Sequence, residues 1–80
     1  METLSDFVPY QNLANAIVKS AALEYRNALK KLISDPWNEE AWYRKRQNER
    51  FFRSDWYKLL TSIKPEYLIN RIQKEVGYID

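Results

Sequence analysis

Between Arg44 and Arg53 the chain carries five cations, Arg44, Lys45, Arg46, Arg50 and Arg53, against a single acid, Glu49. Trp42 and Tyr43 precede this run, and Phe51 and Phe52 fall near its end. Guanidiniums interleaved with rings can hold a phosphate backbone and stack bases, or can grip the carboxylates of a protein surface. On a helix, Arg46, Arg50 and Arg53 recur at spacings of four and three and so share a face. Arg44 and Lys45 fall away from it. The same three arginines can instead pair with Glu39, Glu49 or Asp55, or lie over aromatic rings, and a solvated, salt-bridged face is the ordinary account of such a run. Trp37 and Trp42 flank a loop and the start of a polar helix. With Tyr43, Arg46, Arg50 and Arg53 they form the candidate partner-binding set, because these residue types anchor interfaces.

Other chemistries lack their parts. The chain has no histidine and no cysteine, which removes the commonest general base, the commonest metal ligand and any thiolate. Serines stand at positions 5, 20, 34, 54 and 62 with no histidine to activate them. The adjacent carboxylates Glu39 and Glu40 have a structural reason to be there, since a helix start favours negative charge. The only glycine is Gly77, so no phosphate-cradling loop can form, and the acids lack calcium-loop spacing. The expectation is a binding protein, not an enzyme, with no metal and no cofactor. A net charge of +2 is too small to declare a polyanion ligand. No segment reads as a membrane span, and the acidic opening Met1-Glu2-Thr3-Leu4-Ser5-Asp6 does not read as a secretory signal, so the cytoplasm is the expected location.

The elements that must position these residues read as helices throughout. Pro9 disfavours helix at Val8, so residues 1–9 read as a tail and 10–80 as one domain. From Tyr10 to Ile33, Ala14, Val18, Ala21, Tyr25, Ala28 and Leu32 form a heptad-like stripe, widened by Leu13, Ile17, Leu29 and Ile33. Lys19, Arg26, Asn27 and Lys30 occupy the opposite face. Asp35 or Asn38 caps a second helix, from about Glu39 to Phe52. Its middle, Arg44 to Arg50, has no apolar residue and reads as well solvated, leaving packing to Trp42, Tyr43, Phe51 and Phe52. Ser54 and Asp55 start a short third helix in which Trp56 shares a buried face with Leu59 and Leu60. Pro65 opens a last helix that Gly77 stops. The fold class is an all-α bundle of three to four helices with a long first helix.

Three stretches carry a resemblance: Tyr25-Arg26-Asn27-Ala28-Leu29-Lys30-Lys31-Leu32, Glu49-Arg50-Phe51-Phe52-Arg53-Ser54-Asp55-Trp56-Tyr57, and Leu60 through Ile69. Together they resemble a family of small proteins of phages and integrative elements of Firmicutes, over about sixty residues. Where this chain has Lys64 the family carries an acid that would cap the last helix better. The resemblance implies a mobile-element accessory protein working in a bacterial cytoplasm. By that context it resembles inhibitors of host defence, anti-CRISPR proteins among them.

The function expected is therefore a non-enzymatic protein-binding module that inhibits a host defence complex by covering a surface of a host protein or ribonucleoprotein. The alternative is a small nucleic-acid-binding accessory protein using the Arg44–Arg53 face. Twelve aromatic rings in eighty residues exceed what so small an interior can hide, which leaves a homodimer open as well.

Overall fold

In the computed structural model, residues 3–79 are described, with side chains from position 11 onward. Four helices follow in order: α1 (Thr3–Ser34), α2 (Glu39–Phe52), α3 (Asp55–Leu60) and α4 (Pro65–Val76). The described residues hold no strand. At ~1.5 Å per residue, α1 runs nearly the full 50 Å of a molecule only 21 by 20 Å across. The other three helices pack along it.

Three of the four helix starts, and the end of α4, have visible local causes. Asn38 caps α2, its side-chain oxygen accepting from the Ala41 N–H at 2.8 Å. Ser54 caps α3 by accepting from the Tyr57 N–H. Lys64 precedes α4 with no side-chain cap, leaving Pro65 to set its start. Gly77, at φ 78°, takes the left-handed conformation that ends α4, and the Tyr78 N–H closes back on the Gln73 carbonyl at 2.9 Å. The start of α1 departs from the reading of Pro9 as a boundary. The helix begins at Thr3 and Pro9 lies within it. Proline there removes one backbone bond near a helix end, a cost that a helix otherwise this long absorbs.

The core is built on the expected stripe. Ala14, Val18, Tyr25, Ala28, Leu29 and Leu32 are buried, while Leu13 and Ile33 at its margins are half exposed. Against Tyr25 stands Phe52, edge-on at 5.5 Å between ring centres, and Tyr57 meets both Phe52 and Phe51 at 5.8 Å. Leu60, Ile69 and Ile72 complete the cluster.

Two expectations about this core are corrected. Trp56 is not buried: it is 56% exposed and touches Phe51 edge-on, while Tyr57 is the ring of α3 that goes inside. A helix of six residues has one inward edge, and as α3 docks that edge is Tyr57 and Leu60, leaving Trp56 and Leu59 outside. Nor is the middle of α2 fully solvated. Its inward edge is Ala41, Lys45, Asn48 and Phe52, so a lysine and an asparagine are buried, whereas Tyr43 is exposed.

Candidate functional site: a basic groove along the second helix

Buried polar groups must find partners inside the protein, and those of α2 do. The Lys45 ammonium sits 3.0 Å from Glu49 Oε2, one turn along. The Tyr25 hydroxyl donates to the same oxygen at 2.6 Å and accepts from Gln73 Nε2 at 3.0 Å. One carboxylate thereby joins α1, α2 and α4. Lys45 also lies over the Trp42 ring, 5.3 Å from its centre, and over Tyr78 at 5.7 Å. The left-handed turn at Gly77 is what carries Tyr78 back to it. Asn48 donates to the Arg44 carbonyl at 2.8 Å.

Of these groups Trp42, Lys45 and Glu49 reach a groove of about 760 Å³ lined by Trp42, Lys45, Arg46, Glu49, Arg50, Arg53 and Ser54. Four of the six residues singled out from sequence, Trp42, Arg46, Arg50 and Arg53, therefore meet in one place. Trp37 stands at its Trp42 end, since the Trp42 indole donates to the carbonyl of Pro36 at 2.8 Å, and Trp37 itself is 88% exposed. Tyr43 does not line the groove. It projects from the outer face of α2, three residues before Arg46 and seven before Arg50.

The cations of this region divide sharply. Arg53 grips Glu66 through Nε at 2.6 Å and Nη2 at 3.2 Å, tying the end of α2 to α4. That contact raises the arginine's pKa and holds the Glu66 carboxyl below its ordinary value. Arg44 reaches Glu40 at 2.8 Å and Glu24 at 2.6 Å, and those two hydrogen bonds raise its pKa as well. Arg46 and Arg50 have no ion pair and no side-chain hydrogen bond among the described residues. They are one turn apart on one helix. Like charges at that spacing destabilise a helix by roughly 0.2–0.5 kcal/mol, so nothing in the fold itself favours the arrangement.

The groove contains no nucleophile with a base beside it. The Ser54 hydroxyl donates to the Phe51 carbonyl at 2.6 Å and serves as the α3 cap. Among the described residues no group of three or more acidic side chains could hold a metal ion, and no helix is long and apolar enough to cross a membrane. Sequence reading missed Lys45, Glu49, Tyr25, Gln73 and Glu66 as parts of this site. The signal for Lys45 was present: Ala41, Lys45, Asn48 and Phe52 recur at four, three and four, an inward edge hidden because half of it is polar. The chain matches no family model, no curated protein and no solved structure.

Proposed function

We propose that the protein is a non-enzymatic binding module whose contact surface is the α2 groove, with an acidic protein surface as its partner. The observation that carries this reading is the pair Arg46 and Arg50, two cations without partners among the described residues, beside Trp42 and the exposed Trp37 and Tyr43. Carboxylates are what such a guanidinium pair accepts with directed hydrogen bonds, and exposed rings supply the apolar contact around them. Given the mobile-element family that the sequence resembles, the partner is a component of a host defence complex, of CRISPR type, and the protein inhibits it by covering that component's surface in the bacterial cytoplasm.

The alternative, nucleic acid, fits the groove less well. Two of its four cations, Lys45 and Arg53, are neutralised by Glu49 and Glu66. One face of Trp42 is taken by the Lys45 ammonium, which leaves less of the ring for stacking bases.

The test is capture from a bacterial host lysate by the parent and by the Arg46→Glu/Arg50→Glu variant, followed by mass spectrometry and a salt titration of the recovered complex. The expected result is a protein retained by the parent and lost by the variant, with modest salt dependence. Tight, length-dependent retention of DNA or RNA at about 0.15 M salt, falling steeply as salt rises, would replace this reading with the alternative.

A further inference from the structure

The groove along α2 takes its shape from the helix itself. Its lining side chains fall into two rows, each stepping four residues: Trp42, Arg46 and Arg50 on one side, Lys45, Glu49 and Arg53 on the other. Arg53 lies one residue past α2 but keeps the helical step, its N–H donating to the Glu49 carbonyl at 3.1 Å. Residues four apart on a helix form a ridge, and the trough between two such ridges is where a ridge of another helix packs. No described residue of α1, α3 or α4 lines this trough. The two ridges differ in charge. On one, Lys45 is matched by Glu49 and Arg53 by Glu66. On the other, Arg46 and Arg50 have no partner among the described residues, and the Trp42 ring stands one step before them.

We propose, resting on the reading of this groove as the contact surface, that it receives an acidic helix of the partner protein. Two carboxylates four residues apart on that helix meet Arg46 and Arg50, and an apolar side chain one step further meets Trp42. The step along the Trp42–Arg46–Arg50 ridge is about 6 Å, the rise of four helical residues, so a second helix laid along it stays in register at all three positions. An extended strand presents a side chain to one face every ~6.7 Å and is out of step by about 1.4 Å at the third position. Each guanidinium takes a carboxylate through paired hydrogen bonds, and the neutralised Lys45–Glu49–Arg53 ridge adds no net charge to compete for them.

Two synthetic peptides, titrated into the isotope-labelled full chain and followed by NMR, test the proposal. Both carry two glutamates flanked by two leucines. In the first, held helical by a hydrocarbon bridge on its far face, these residues step by four. In the second, internal prolines keep the chain extended and the same residues step by two. The helical peptide is expected to bind at least about tenfold more tightly, shifting the Arg46 and Arg50 Nε–H signals and the Trp42 indole. Arg46→Glu/Arg50→Glu should abolish that binding, and lysines in place of the peptide's glutamates should restore it. An extended peptide that binds equally well or better, or a helical peptide that does not bind at about 1 mM, overturns the proposal. If the two peptides bind equally and both need Arg46 and Arg50, the groove stands as the contact surface and only its helical occupant falls. If both bind and neither needs those arginines, the contact surface falls with it.

Discussion

Lys45 and Arg46 are neighbours in the chain, as are Glu49 and Arg50, yet the two pairs of neighbours meet opposite conditions. Lys45 and Glu49 turn inward, their side chains 6% and 16% exposed, and are matched to each other, to Tyr25 and through it to Gln73. Arg46 and Arg50 turn outward and are matched to nothing among the described residues. A step of one residue rotates a side chain by ~100° around a helix, which is enough to carry it from the core to solvent. The inner pair illustrates what a charge needs in order to be buried. The outer pair illustrates a charge that folding does not use. Charges of the second kind are free to serve a partner, and the proposed contact surface rests on this difference, not on the number of cations.

The largest expected effect comes from breaking the inner set. Lys45→Ala strands the Glu49 carboxylate in a mostly buried position and should cost about 3–5 kcal/mol, read from urea or thermal unfolding. A variant melting within a few degrees of the parent would mean that the inner charges are no better matched than the outer ones. Next comes the one buried side-chain hydroxyl without a partner among the described residues, that of Tyr57. Tyr57→Phe should stabilise by about 1 kcal/mol, because it removes a desolvated polar atom and keeps the ring contacts with Phe51 and Phe52. Burial also pushes the Tyr57 phenol up. The folded state therefore holds it neutral, and its contribution to stability is full below the unfolded value of about 10 and is lost as pH rises beyond it. Melting temperatures recorded across alkaline pH should fall less steeply for Tyr57→Phe than for the parent. An equal slope would show that the buried ring does not govern that limb.

Smaller effects sharpen the contrast further. Lys64→Asp supplies the missing cap of α4 and should add roughly 0.5–1 kcal/mol to the unfolding free energy. No gain would mean that Pro65 alone fixes this end. The Arg53–Glu66 contact has the opposite pH sense to Tyr57. Because Arg53 holds the Glu66 carboxyl low, its contribution is present above the unfolded value of about 4.3 and is lost as pH falls through the lowered one. Both groups are substantially exposed, so the loss in acid is small, and Glu66→Gln should flatten the acid limb slightly. Smallest of all on stability is Arg46→Glu/Arg50→Glu, which should move the melting free energy by no more than about 0.5 kcal/mol while abolishing partner capture. A large destabilisation by that variant would show the outer arginines to be part of the fold.

Helix content was legible in the residues themselves. A single glycine near the end, the alanine-rich stripe of α1, the Asn38 and Ser54 caps and the Gly77 stop are local signals. A helix forms or ends according to groups within a turn of it, so the sequence was sufficient for the all-α class and for the boundaries of α2 to α4. It also indicated that Arg46, Arg50 and Arg53 share a side of one helix, because spacing alone decides that. What lies opposite a helix is not written within a turn of it. Only the tertiary structure decided that Arg53 is engaged by Glu66, thirteen residues away, and that Arg46 and Arg50 are engaged by none of the described residues. Only it decided that Lys45 is buried, since a lysine on an inward edge is affordable just where Glu49, Trp42 and Tyr78 converge on it. The exchange of Trp56 for Tyr57 has the same cause. Two adjacent rings on a one-turn helix look alike in sequence, and which of them is core depends on where α1 and α2 stand when that helix docks.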